Sequence, residues 1–159
     1  MTSMHLTIRV LTSDDAGLLE SLLGTFGEAF DDLDGYCRKR PPTEYLRELL
    51  GSDNFIAIVA MEDDNVVGGL AAYELRKFEQ RRSEIYIYDL AVSAAHRRRG
   101  IATALIDELK RVAADRMAYV IFVQADVGDA PAIALYTKMG RREEVLHFDI
   151  AVTDTTHEE

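Results

Sequence analysis

The stretch SEIYIYDLAVSAAHRRRGIATAL, residues 83–105, decides the fold of this chain. Residues 83–92 are rich in branched and aromatic side chains and contain neither glycine nor proline, which is typical of a strand. After Gly100 the apolar residues return to helical spacing, at Ile101, Leu105, Leu109 and Val112. The pattern predicts a strand that passes through a short basic loop into a helix.

Hydrophobic periodicity predicts the other elements on both sides of this stretch. The predicted strands are Leu6 to Leu11, Phe55 to Met61, Val66 to Leu75, Ser83 to Val92, the buried strand Ala118 to Ala125, and Glu144 to Ile150. The first predicted helix follows the caps TSDD at 12–15, and the second opens at Pro41 and Pro42 and ends at Gly51. The third follows Gly100, and the last runs from Pro131 to Met139 with Gly140 in the C-cap position. The order βααβββαβαβ predicts an α/β fold, a mixed sheet with helices on both faces.

Composition limits the possible classes of protein. The 159 residues show no repeat or linker, so we expect one domain over 1–159, with a disordered tail in its last several residues. There is one cysteine, Cys37, no zinc-type cysteine and histidine spacing, and no run near the ~20 apolar residues of a membrane span. We therefore expect a cytoplasmic protein without a metal. A net charge of −10 argues against nucleic acid and suits a cationic substrate, although many acidic proteins are acidic only for solubility.

The basic loop has the features of an anion site. Arg97, Arg98 and Arg99 precede Gly100 where a predicted strand enters a helix, and unpaired backbone N–H groups and the helix dipole converge there. An isolated arginine triplet is more often a solvated turn, but this context favours phosphate binding. The two well-known nucleotide loops, GxxxxGK[ST] and GxGxxG, do not occur in the chain.

Two motifs resemble the GNAT superfamily of acetyl-CoA-dependent N-acetyltransferases. Arg97-x-x-Gly100-x-Ala102 matches its Q/R-x-x-G-x-G/A motif. One strand later, Asp129-x-x-Ala132-x-x-Leu135-Tyr136-x-Lys138-x-Gly140 resembles its N-x-x-A-x-x-L-Y-x-K/R-x-G-F segment, with Asp129 for the usual Asn and Arg141 for the usual Phe. The resemblance implies the GNAT fold and direct transfer of acetyl to an amine.

A closer resemblance covers residues 77–106 and 119–150, which look like the gentamicin-type aminoglycoside 3-N-acetyltransferases. This sequence departs from their pattern at Arg81, Ala94, Ala95, Val127 and Ala130. The last two lie near the acceptor site that the resemblance implies, so they put the range of accepted drugs in question. The reaction is unaffected.

The resemblance also implies where acetyl-CoA binds. Backbone groups of Leu90, Ala91 and Val92 would pair with its pantetheine arm, and its pyrophosphate would lie on the loop. The residues implied in cofactor binding at the loop and the second motif are Arg97, Arg98, Arg99, Gly100, Ile101, Ala102, Thr103, Asp129 and Ala132. The loop N–H groups should contribute more than the arginine side chains.

An ammonium acceptor needs a base, and the leaving thiolate needs a proton donor. Asp89 is the candidate base, because strand alternation places it on one face with Ile85 and Ile87, where a carboxylate needs a partner or a purpose. The alternative, which we consider second, is an aspartate that only bonds a backbone group or an arginine. Glu84 with a water relay is the fallback. Tyr136 matches the proton-donating tyrosine of the family; without the family, core packing would explain it.

A polyamino sugar should be bound by carboxylates. Candidates lie in three regions: Glu28, Asp31, Asp32 and Asp34; Asp126 and Asp129; and Glu143, Glu144 and Asp149. Asp126 is favoured because it follows a predicted strand at the end where α/β folds place ligands. Exposed strand edges favour a homodimer. Two alternatives stay open: another acceptor amine, on a peptide, polyamine or small metabolite, and a non-catalytic acyl-CoA-binding module.

Overall fold

A computed structural model describes residues 5–153 of the chain. The chain divides into two compact units, Met1–Gln124 and Ala125–Glu159, and each is described by itself. The last several residues, expected to be a disordered tail, lie largely outside the described residues.

The described residues of the first unit form a five-stranded mixed sheet whose strands lie side by side in chain order. The strands are β1 (Leu6–Val10), β2 (Phe55–Glu62), β3 (Asn65–Arg76), β4 (Ser83–Val92) and β5 (Ala118–Val123). The first four pair antiparallel, whereas β5 runs parallel to β4. A parallel pair needs a crossover connection, and the helix predicted after Gly100 supplies it. Five predicted strands are therefore confirmed, and β4 has the predicted bounds.

In the described part of the first unit, three α-helices accompany this sheet: α1 (Ala16–Ala29), α2 (Thr43–Leu50) and α3 (Ile101–Asp115). The predicted caps are confirmed at the first of them, because Thr12 and Asp15 form a reciprocal capping box on the short 3₁₀ turn that leads into α1. Gly51 ends α2 as predicted. The polar stretch between α1 and α2 contains one π-helical turn, Asp34–Arg38.

Helices cover the sheet on both faces, as predicted. Leu19, Leu22 and Phe26 of α1 pack with α2 against one face of β2 and with Ala91 of β4. Helix α3 contacts β2 to β5. The β2 side chains that point to the other face, at Ile56, Ile58 and Ala60, are buried as well. Gly69 of β3 permits the close approach of α1, because a Cβ there would lie 2.5 Å from a methyl group of Leu22.

Strand β5 is less buried than predicted. Tyr119 is 47% exposed and Val120 is 39% exposed. The reason is its place in the sheet, since among residues 5–153 β5 is the last strand in the order and pairs with β4 alone. An apolar run cannot by itself distinguish an edge strand from a central one.

The second unit contains helix α4 (Ala130–Met139), with a proline in the first turn and Gly140 at its C-cap, both as predicted. Its N-cap is Asp129. The strand predicted at Glu144 to Ile150 is wrong, because residues 141–150 have no regular secondary structure. A strand needs a neighbour for its backbone hydrogen bonds, and period-2 alternation does not provide one. The described elements therefore end with a helix, in the order βααβββαβα.

Candidate active site

The basic loop between β4 and α3 has an unusual backbone. Arg98 has φ +64° and Gly100 has φ +77°, so both lie in the left-handed region. A Cβ added to Gly100 would meet nothing within 4 Å, so its backbone faces open space. The first helical N–H groups of α3, from Ile101 onward, have no preceding carbonyl and no side-chain cap. The loop therefore offers free donors of the kind that a diphosphate needs.

Strand β4 continues beyond its parallel neighbour. Among the described residues, β5 pairs with β4 up to Ile87, whereas β3 pairs with β4 as far as Val92. The predicted cofactor-binding residues Leu90, Ala91 and Val92 lie in the part that β5 does not reach. The Val92 carbonyl accepts a hydrogen bond from Arg97 Nε at 3.3 Å. This hydrogen bond from Arg97 connects the loop with the end of β4.

A bulge in β4 changes the direction of Asp89. Ala72 of β3 pairs with Ile87, but the next residue, Ala71, pairs with Asp89, so Tyr88 is an extra residue. Cross-strand partners share a face and neighbours along a strand do not. Asp89 therefore lies on the face opposite Ile87, and the prediction that the two share a face is wrong. A single inserted residue reverses the alternation, and nothing in the local pattern marks it.

Asp89 meets Tyr36 on the face that the bulge gives it. The Tyr36 hydroxyl lies 3.1 Å from Asp89 Oδ1 and 3.2 Å from Oδ2. Burial raises the pKa of Asp89 above its ordinary value, and the Tyr36 hydrogen bond offsets part of that rise. Burial and the adjacent carboxylate also raise the pKa of Tyr36, so its hydroxyl stays a donor at neutral pH. Asp89 is thus a partly buried carboxylate of increased basicity.

Aromatic rings surround this pair. Tyr36 packs edge-on against Phe26 of α1, with Phe30 at 5.6 Å between ring centres. Tyr88 contacts Tyr73 and Tyr86, and it is 62% exposed. Sequence reasoning missed these residues. Tyr36 lies in a polar stretch without periodicity, while the tyrosines of β4 alternate but resemble ordinary strand residues.

Glu84, the fallback base, is engaged elsewhere. It accepts a hydrogen bond from the Tyr119 hydroxyl at 2.6 Å and lies 3.3 Å from Lys77 Nζ. The Tyr119 bond, and Lys77 after it, lower the pKa of Glu84 despite some burial. A carboxylate held in this way is a weaker base than Asp89.

The acidic residues predicted around the end of α1 lie in the segment that carries Tyr36. Asp31 has φ +52°, Asp32 accepts the Gly35 N–H at 3.0 Å, and Asp34 pairs with Arg38 at 2.8 Å. Asp32 is among the charges that raise the pKa of Tyr36. Glu28 lies one turn earlier, on exposed α1 surface. The structure therefore brings Asp32 near the Tyr36 and Asp89 pair.

The remaining predicted residues belong to the second unit. Asp129 caps α4 by accepting the Ala132 N–H at 3.3 Å, and the Asp126 carbonyl accepts the Asp129 N–H at 3.0 Å. Burial, and then the charge of Asp129, raise the pKa of Tyr136. The predicted acceptor residues Glu143, Glu144 and Asp149 are exposed and lie in ion-pair contact with Arg141, Arg142 and His147.

Residues 5–153 contain no group of three or more histidine, cysteine or acidic side chains arranged to hold a metal ion. In the same part of the chain, no helix is both long and apolar enough to cross a membrane.

A family model and two solved structures similar to this chain are all acetyltransferases. The acetyltransferase (GNAT) family matches residues 19–140. A crystal structure of an aminoglycoside acetyltransferase from an uncultured soil metagenomic sample is 62% identical, covers 94% of this chain and 100% of that chain, and has a TM-score of 0.92. A second aminoglycoside acetyltransferase from such a sample, in complex with sisomicin, is 30% identical over 93% of this chain and 97% of its own, with a TM-score of 0.84.

Curated relatives match a smaller part of the chain. An N-alpha-acetyltransferase of Saccharolobus solfataricus is 35% identical over 107 residues, 60% of this chain and 59% of its own length. N-acetyltransferase 8B of Rattus norvegicus is 29% identical over 90 residues, 57% of this chain and 40% of its own length. The chain thus spans less than two thirds of either relative.

Proposed function

Because the chain belongs to the acetyltransferase (GNAT) family, we propose that this enzyme transfers acetyl from acetyl-CoA to the 3-amino group of gentamicin-type aminoglycosides. The observation that carries the proposal is Asp89, a carboxylate of raised pKa among aromatic side chains beyond the end of β5. The 62% identity to a structure described as an aminoglycoside acetyltransferase supports the acceptor class. The proposal treats both units as one domain, since the family match extends from the first into the second.

Acetyl-CoA supplies the activated acetyl group as a thioester. The strand edge at Leu90 to Val92 and the loop N–H groups up to Thr103 would hold it, the first through strand-like pairing with the pantetheine arm and the second through the diphosphate. Two observations support this fit: the β4 backbone beyond Ile87 is not paired by β5 among the described residues, and the backbone at Gly100 faces open space. Asp129 and Ala132 remain proposed contacts of the second motif.

Asp89 would accept the proton that an ammonium acceptor must lose before it attacks. The neutral amine then forms the new C–N bond with the thioester carbon while the C–S bond breaks. Tyr136 would give its phenolic proton to the leaving thiolate. Burial raises its pKa, so the phenol is protonated at neutral pH. The nitrogen would lose two protons in all: Asp89 takes one before the attack, and the one lost as the amide forms returns to the Tyr136 phenolate, which gave its own proton to the thiolate. The net reaction therefore leaves one proton on Asp89.

The acceptor would be recognised through its positive charges. Asp32 and the rings near Asp89 offer a carboxylate and aromatic faces, and exposed Tyr88 can receive an ammonium group over its ring. Glu28, Asp31, Asp126, Glu143, Glu144 and Asp149 remain proposed acceptor contacts. The sisomicin complex of the 30% identical structure supports a drug of this class.

We also propose a homodimer in which residues 145–152 contribute to the contact. Leu146, Phe148, Ile150 and Val152 alternate along this segment, and each is at least 70% exposed. A run of exposed apolar side chains is typical of an interface. Sedimentation analysis should show a dimer that weakens when Leu146 and Phe148 are both replaced by Ser. An unchanged dimer, or a wild-type monomer, would contradict this proposal.

The purified chain, incubated with acetyl-CoA and gentamicin, should release free thiol and add one acetyl group, located at the 3-amino nitrogen by NMR. Sisomicin already acetylated at that nitrogen should be inert, whereas sisomicin acetylated at another nitrogen should still react. Reaction of the blocked drug would place the transfer elsewhere on the sugar.

A second candidate acceptor is the N-terminal amine of a protein. The 35% identical N-alpha-acetyltransferase supports it. A basic peptide with a free N-terminus, tested beside gentamicin, separates the two. Turnover of the peptide without turnover of any aminoglycoside would overturn the proposed acceptor, whereas the assignment as an acetyltransferase would stand.

A further inference from the structure

A buried carboxylate lies against the basic loop, apart from the residues assigned to transfer. Glu62 is the last residue of β2 and is 7% exposed. Its Oε2 atom lies 2.5 Å from His96 Nε2, and its Oε1 atom lies 3.5 Å from Arg99 Nη2. Each carboxylate oxygen therefore has its own partner. One partner precedes the arginine run, and the other closes it.

The second nitrogen of His96 is also engaged. Its Nδ1 atom lies 2.6 Å from Ser93 Oγ, and the Ser93 backbone N–H donates to the Val67 carbonyl at 2.8 Å. Polar contacts thus connect β3, the end of β4, the loop and the end of β2. Glu62, Ser93 and His96 also line a cavity of about 430 Å³, together with residues of the turn between β2 and β3.

The loop needs such support. Arg98 has a left-handed backbone, which is unfavourable for a residue with a Cβ, and Gly100 loses the large conformational freedom of glycine. A buried carboxylate is also costly unless it is paired, and an apolar side chain could fill the same space. The charge at position 62 therefore calls for an explanation other than packing. The contacts with both ends of the arginine run supply one.

We infer that Glu62 is a positioning residue for the diphosphate of acetyl-CoA. By holding His96 and Arg99, it keeps residues 97–100 in the conformation that presents the loop N–H groups before the cosubstrate arrives. Donors that are already ordered bind without the entropy cost of ordering a loop. Glu62 also takes up part of the Arg99 charge, which leaves the backbone donors as the main anion contacts. The inference rests on the proposed function in one respect, that this loop binds the diphosphate.

The test compares Glu62→Ala and Glu62→Gln with the wild type. Asp63→Asn is the matched control, because it removes one negative charge at the adjacent residue, and asparagine tolerates the φ of +53° found there. Calorimetry with CoA should show an affinity about tenfold weaker for Glu62→Ala, a smaller loss for Glu62→Gln, whose amide oxygen can keep one contact, and no loss for Asp63→Asn. In the ligand-free protein, the amides of residues 97–103 should exchange hydrogen faster in Glu62→Ala.

A truncated cosubstrate distinguishes positioning from general damage. S-acetylpantetheine lacks the diphosphate, so its kcat/KM should be the same in Glu62→Gln and the wild type. Equal losses for both cosubstrates would overturn the inference, as would unchanged CoA affinity and amide exchange in both variants. If the wild-type chain binds no CoA, the proposed function itself fails. If CoA binds normally to Glu62→Ala, the inference alone fails.

Discussion

Tyr36 donates its hydroxyl to both carboxylate oxygens of Asp89, at 3.1 and 3.2 Å, across 53 positions of the sequence. The contact joins the segment after α1 to the bulge in β4. Burial makes Asp89 more basic, and the Tyr36 bond limits that increase. The pair therefore sets the pH at which the proposed base becomes active.

Tyr36→Phe should move the acid limb of the kcat/KM profile to higher pH, because a hydrogen bond that stabilises the carboxylate and lowers its pKa is lost. A base must be deprotonated to act, so a variant whose Asp89 pKa is higher becomes active only at a higher pH. Tyr45→Phe is the control, since that tyrosine is 55% exposed on α2. An acid limb at the same pH in both variants would mean that Tyr36 does not tune the base.

Asp89→Asn should lower kcat by 10²- to 10⁴-fold, the usual contribution of a general base. It should leave the folded protein at least as stable at pH 7. The pKa of Asp89 is higher in the folded protein than in the unfolded chain. Its charge therefore destabilises the fold progressively as the pH rises above the pKa of the unfolded chain. Urea unfolding should show this advantage at pH 7 and its disappearance at a pH low enough to protonate Asp89 in both states. A marked loss of stability at pH 7 would point to a structural role.

Tyr136→Phe should lower kcat tenfold or more and leave the Kd for CoA unchanged. The ring is kept and only the proton donor is removed, so transfer slows while binding remains. Turnover is measured with gentamicin at saturating acetyl-CoA, and the Kd by calorimetry. Normal turnover in both this variant and Asp89→Asn would leave the assigned roles unsupported and favour other groups for the proton transfers.

Gly100→Val should raise the KM for acetyl-CoA tenfold or more, because a branched residue at φ +77° distorts the loop. Arg98→Ala should raise it only a few-fold, since the backbone geometry survives. Arg98→Gly removes the same side chain and relieves the left-handed strain, so its loop should be the more stable of the two. If Arg98→Ala has the larger effect, the side-chain charge anchors the cosubstrate.

Asp15→Asn should lower the free energy of unfolding by about 1–3 kcal/mol at pH 7. Asp15 is buried, lies 2.6 Å from Arg9 Nη2 and accepts the Thr12 N–H at 2.9 Å. Burial alone would raise its pKa, but these partners together lower it below the ordinary value. The stabilisation is therefore present above the unfolded pKa and is lost as pH falls through the lower folded pKa. Asp14→Asn, on the exposed side of the same turn, should change little.

Local information in the sequence was sufficient for most of the fold. Strand bounds in β4, the capping box before α1 and the glycine after α2 follow from interactions within a few residues of each other. The loop from β4 into α3 was also predicted, because a glycine placed just before a helix and the free N–H groups of the first helical turn are local features. The family motifs lie on the same local elements.

Tertiary structure decided the features that depend on distant partners. The bulge at Tyr88 reverses the direction of Asp89, and it is defined by register with β3. Tyr36 and Glu62 acquire their roles through contacts across 53 and 34 or more positions, which no periodicity records. Residues 144–150 were predicted as a strand from their alternation and form none. A strand exists only where another backbone completes its hydrogen bonds, and the local pattern does not contain that partner.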